Sequence, residues 1–180
     1  MTNTPDILPS TPLGFPIDRQ RDGVVFLNLD TSDVDKISNL SNPKLPATHK
    51  GSVIVGASAS GLPGKSIRLD GHAFLEIPHD KSLDCLDGVT LSAWIYPRQF
   101  PPGGMRIIDK SPVGAATGYL LDTYPGNSLR LITRDPHLSF KANLPTNRWS
   151  HVAATVDGKT GKQALYLNGR PVAESNSNQE

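Results

Sequence analysis

The sequence predicts an all-β protein, a two-sheet antiparallel sandwich of jelly-roll type with little or no helix. Strand-like runs recur every 8–14 residues, the rhythm of such a fold. No segment longer than a turn or two carries the 3.6-residue spacing of a helix. The 16 glycines and 16 prolines among 180 residues are above ordinary usage and suit many short strands joined by turns.

The elements follow in order. Residues 1–22 carry Pro5, Pro9, Pro12 and Pro16 and read as an extended arm or linker. A domain is predicted over 23–173, followed by a polar tail, 174–180. "GVVFLNLD", from Gly23 to Asp30, is the first strand. The polar stretch 31–52, with Pro43 and Pro46, reads as a long surface loop. "KSIRLDG" and "AFLEIPH" flank Asp70-Gly71, a cue for a hairpin. "GVTLSAWIYP" is the clearest strand, stopped by Pro97. "MRIIDKS", "GYLLDTY", "SLRLITRD" and "LSFKANL" come next, then "RWSHVAATVD" and "QALYLNGRPVA" around "GKTGK".

Side chains alternate across a strand, so faces can be assigned. Leu91, Ala93 and Ile95 oppose Ser92, Trp94 and Tyr96; Leu131 opposes Arg130 and Ile132; Val152 and Ala154 oppose His151 and Ala153. With Leu165 and Leu167, the first member of each set is the predicted core.

Composition excludes several classes. Hydrophobic residues make up 37% and charged residues 19%, with a net charge of +1, as in soluble globular domains. Such balanced charge leaves no nucleic-acid footprint and no membrane patch. No apolar run approaches the ~18 residues of a membrane span. The N-terminus lacks the basic and apolar regions of a secretory signal. Cys85 is the single cysteine, so no intrachain disulfide can form, and beside Leu83 and Leu86 it reads as a small buried hydrophobe.

Taken in order, "GKSIRLDG-HAFLEIPHDKSLD", "VTLSAWIYP", "RIIDK" with "GYLLDTY", and "NRWSHVAATVDGKTGKQALYLNGRPVA" resemble the laminin-G-like domains of the concanavalin-A-like lectin/glucanase superfamily. The resemblance runs from about Val24 to Ala173, most specifically through Trp94, Trp149 with His151, and Tyr166-Leu167-Asn168-Gly169. It implies a concanavalin-A-like jelly roll and an extracellular or periplasmic place. Members of the family usually continue well past the Asn-Gly turn and close with a strand near the first. This chain stops at "ESNSNQE", which predicts an unpaired "VVFLNLD", open to downstream sequence or a strand-donating partner.

A glucanase of this superfamily would need paired carboxylates in a Glu-x-Asp-x-x-Glu run. Glu occurs only at 76, 174 and 180, and Glu76 stands alone, so glycoside hydrolysis is not expected. The five histidines share no zinc spacing. Related domains often bind calcium at a sheet rim, and the resemblance makes Asp30 or Asp70 its candidate ligands; otherwise Asp30 caps a loop and Asp70 favours its turn. No other cofactor is implied. For sugar, aromatic faces and bidentate polar groups are the useful parts. The candidates are Trp94, Tyr96, Tyr119, Tyr124, Arg130 and Arg134. The family's tryptophan at Trp94 usually packs, which puts that ring in the core ahead of a platform. "NLS" at Asn39 is a glycosylation acceptor only in a eukaryotic secretory setting. The leading expectation is a non-catalytic module of a larger protein that binds carbohydrate or an extracellular protein. The alternative is a structural module packed against a catalytic domain without a ligand of its own.

Overall fold

The computed structural model describes residues 25–29, 31–57, 65–85, 87–111, 118–133 and 137–176. They form two compact units. The first holds the described residues up to Gly56 and Lys65–His79; the second holds Ala57 and the described residues from Asp80 onward.

The first unit consists of short pieces. Strands β1 (Leu27–Asn28) and β2 (Ser38–Asn39) pair antiparallel, as do β3 (Thr48–Lys50) and β6 (Phe74–Glu76), while β4 (Ile54–Ala57) pairs with β5 (Lys65–Arg68). One turn of 3₁₀ helix, Val34–Lys36, precedes β2 and is capped by the Asp33 carboxylate, which accepts from Asp35 N. Asn39 is 1% exposed. Its Oδ1 accepts from the backbone N–H groups of Phe26, Ser41 and Asn42, and its amide donates to the Leu45 carbonyl at 3.2 Å.

Three expectations change here. The stretch 31–52 carries a 3₁₀ turn and two short strands, because Asn39 and Asp33 supply backbone partners that its composition hides. The first strand gains a partner on one edge, Leu27 and Asn28 pairing with Asn39 and Ser38 in a two-stranded sheet. Asp70 does close a turn, its Oδ1 accepting from His72 N at 2.8 Å and Ala73 N at 3.0 Å. The flanking strands nevertheless part and pair with β4 and β3 rather than with each other. The buried Asn39 amide is also no accessible glycosylation acceptor.

The second unit is the sandwich. It opens with a 3₁₀ turn, Lys81–Asp84, capped by Asp80, and ends that turn at Cys85 in a left-handed conformation (φ 41°). One sheet has the order β14-β13-β12-β7, built from β7 (Gly88–Ile95), β12 (Ser150–Asp157), β13 (Lys162–Leu167) and β14 (Arg170–Asn176). The other has the order β11-β10-β9-β8, built from β8 (Arg106–Lys110), β9 (Tyr119–Asp122), β10 (Leu129–Ile132) and β11 (Leu138–Phe140). All of these pairings are antiparallel. The core between the sheets joins Leu91, Val152, Ala154 and Leu165 to Leu121, Leu129, Leu131 and Leu138; Ala93, Ile95 and Leu167 pack against it, partly buried. Among the described residues helix is confined to the two 3₁₀ turns.

The β12–β13–β14 meander owes its geometry to two turns. Asp157 accepts from the N–H groups of Lys159 and Thr160 at the first. Asn168 and Gly169 have φ of 51° and 77° at the second, the left-handed pair a two-residue hairpin requires. Asn168 Oδ1 also accepts from His151 N at 2.9 Å, tying that turn to the start of β12.

Candidate functional site

On the outward side of the β8–β11 sheet, Asp122 and Arg130 are cross-strand partners, and Arg106 is the partner of Asp122 on its other flank. Alternation forces this: Leu121, Leu129 and Leu131 enter the core, so Leu120, Asp122, Arg130 and Ile132 face out. The Arg130 guanidinium meets Asp122 as a fork, Nε to Oδ1 at 3.0 Å and Nη2 to Oδ2 at 2.6 Å. Asp122 is 5% exposed, so this pair is largely shielded from screening. The Tyr124 ring stacks with the guanidinium, 4.1 Å from ring centroid to Cζ, a cation–π contact. Arg106 forms its own ion pair with Asp109.

These groups line an open depression of about 260 Å³, with Gly103 and Gly104 on its rim. Gly104 has φ +70°, and a side chain there would run into the Thr123 carbonyl, so the rim can approach Tyr124 only as glycine. Thr123, fully buried, anchors that rim: its N–H donates to the Met105 carbonyl, and its hydroxyl accepts from Met105 N, both at 2.9 Å. The Tyr124–Pro125 peptide is cis.

Of the residues singled out from sequence, Tyr124 and Arg130 come together here. Trp94 and Tyr96 lie on the outward side of the other sheet, across the core from them. Trp94 is 48% exposed, which corrects the expectation that it packs inside: it shares its strand face with exposed Ser92, while Ala93 and Ile95 take the core side. Its ring tilts against His151 at 5.3 Å, and that of Tyr96 against Trp149 at the same distance. Burial lowers the pKa of His151. Tyr119 shares the inward face with Leu121 and packs against the core. Burial, first, and the Cys85 thiol beside it push its pKa up to about 12. Cys85 is only partly buried, a difference from the expected core thiol. Arg134 and Asp30 lie outside the described residues.

Asp70 commits Oδ1 to two backbone donors, which hold its pKa down. Among the described residues no three His, Cys, Asp or Glu side chains gather as a metal group. Glu76 pairs with Lys50 at 3.8 Å.

Sequence reasoning missed Asp122, Arg106 and the glycine rim. Alternation in "GYLLDTY" places Asp122 opposite buried Leu121, but the pairing that sets it beside Arg130 is tertiary.

The family model described as the concanavalin A-like lectin/glucanases superfamily, of laminin-G type, matches residues 69–180. The chain belongs to this superfamily. The lectin-like jelly roll of the family is the fold seen here. No curated protein matches the chain. Among solved structures, it is similar to domain 4 of AbnA, a GH43 extracellular arabinanase from Geobacillus stearothermophilus, solved in complex with arabinotriose. The identity is 20%, over 86% of this chain and 77% of that one, with a TM-score of 0.58; this likeness is one of fold.

Proposed function

We propose that this lectin-like domain is a non-catalytic carbohydrate-binding module that serves as an appendage of a larger, carbohydrate-active protein. The observation that carries the reading is the Tyr124–Arg130–Asp122 stack in an open depression. A sugar needs a ring for its C–H face and fixed donors for its hydroxyls. Tyr124 is 41% exposed and offers the ring. Arg130 keeps N–H donors beyond the two spent on Asp122, and the carboxylate fork and the stacked ring hold it in place, so little ordering remains to be done on binding. Asp122 and Asp109 balance Arg130 and Arg106, which suits a neutral ligand. The fold-similar arabinanase domain, solved with arabinotriose, supports the same class.

The test is affinity electrophoresis in linear arabinan with calorimetry on arabinotriose. Retardation and a saturable heat are expected, weakened about tenfold or more by Tyr124→Ala. Equal binding by Tyr124→Ala and Arg130→Met would sink the site. Release of reducing ends from arabinan should stay at the level of a protein-free control; turnover abolished by Glu76→Gln would overturn the non-catalytic reading.

A further inference from the structure

We propose that the outward face of β7 and β12 is a second platform for neutral carbohydrate chains, on the opposite side of the sandwich from Tyr124. It extends the carbohydrate reading above but stands on different residues and fails separately.

The face carries two ring pairs in succession. Trp94 and His151 are cross-strand partners, and the rings of Tyr96 and Trp149 meet just past the last paired residues, Ile95 and Ser150. Two residues along a strand advance about 7 Å, so the pairs form a short stripe rather than one spot. Within each pair the centroids are 5.3 Å apart and the rings are tilted by 56° and 58°. That edge-leaning geometry is favourable in itself and holds Trp94 and Tyr96 in place although they are 48% and 43% exposed. Large rings rigid before contact lose little freedom on binding.

Charge selects the partner. The outward positions Thr90, Ser92 and Trp94 of β7 and His151, Ala153 and Thr155 of β12, with Tyr96 and Trp149 just beyond the strand ends, hold no Asp, Glu, Lys or Arg. The imidazole of His151 is the one titratable group among them besides the Tyr96 phenol, and burial favours its neutral form. Thr90 and Ser92, both exposed, put hydroxyls on the same face. Apolar rings flanked by uncharged hydroxyls complement a chain whose own faces are C–H and hydroxyl. An anionic polymer would find no counter-charge at these positions.

The protein carries two tryptophans, Trp94 and Trp149, and both lie on this face. Tryptophan emission therefore reads the platform and not the Tyr124 site. Titrations with linear arabinan, xylan and hydroxyethylcellulose, with polygalacturonate as the anionic probe, should give a saturable emission change with at least one neutral polymer. The change should persist in Tyr124→Ala. It should require about tenfold more polymer in Trp94→Ala, where Trp149 remains as reporter, and in Ser92→Glu, which adds a charge at an exposed position without removing a ring. The platform is overturned if no neutral polymer shifts the emission, if polygalacturonate alone does, or if both variants titrate like the parent. Electrophoretic retardation lost in Tyr124→Ala with silent emission would leave the first site standing and remove this one. The converse would remove the Tyr124 site and keep the platform.

Discussion

In the proposed site, Arg130 would couple stability to recognition. Its guanidinium neutralises a carboxylate that is 5% exposed, and removing one partner of a buried pair strands the other. Arg130→Met should therefore cost about 3 kcal/mol as well as affinity, read in a denaturant titration. The double change Arg130→Met/Asp122→Leu should recover part of the stability and none of the binding. Asn39 plays a comparable part in the first unit: four backbone partners converge on one buried amide. Asn39→Ala should cost about 2 kcal/mol or more, because each orphaned group pays for its desolvation. His151 supplies the pH prediction. Its folded pKa lies below the unfolded value, so below pH ~6.5 the unfolded chain binds the proton more readily. Stability should fall as pH drops from about 6.5 through the folded pKa. His151→Gln should flatten that part of the melting-temperature profile.

At the scale of elements, the β12–β13 hairpin carries the sandwich. Val152, Ala154 and Leu165 are fully buried on one face of it, so the pair presents a continuous apolar ridge to the opposing sheet. Leu165→Ala should cost roughly 2–5 kcal/mol if the cavity cannot collapse; an effect under about 1 kcal/mol would mean the site repacks. Gly104→Ala makes the complementary test on a loop. The left-handed backbone and the Thr123 carbonyl both oppose a side chain there, so the rim must move away from Tyr124. Arabinotriose affinity should drop while Leu165 and its neighbours remain undisturbed, as a loop-confined pattern of amide shifts would show.

At the scale of the molecule, the two units draw on different sources of stability. The second has a contiguous apolar core and strands of up to eight residues. The strands of the first are two to four residues long, held by side-chain-to-backbone bonds as well as pairing. Native-state hydrogen exchange should therefore be slow across Val152–Val156 and much faster at Phe26 and Leu27. Acid should also act on both units. Backbone donors at Asp70 and Asp157, and Lys36 ahead of the backbone at Asp33, lower these carboxyls below 3.8. A depressed folded pKa gives stability that is complete above the unfolded value and lost as pH falls through the folded one. Acid unfolding should accordingly begin below about pH 4.

The sequence by itself determined the sandwich, because period-two alternation in "GVTLSAWIYP" and "HVAATVD" leaves each strand one apolar face, and a sheet must bury it. It determined the Asn168-Gly169 turn too, since the left-handed conformation is a local property of those residues. Only the tertiary structure decided which residues of the candidate site meet. Asp122 lies eight positions from Arg130, and nothing in either strand says that they meet; strand register does. The Asp70-Gly71 corner was legible as a turn but not as a junction between different pairings, because partner choice depends on edges that other segments provide. Trp94 was legible as an aromatic on one face of β7, yet its exposure depends on what the rest of the chain lays over that face. Alternation is written residue by residue, whereas pairing and coverage are free-energy comparisons over the whole molecule.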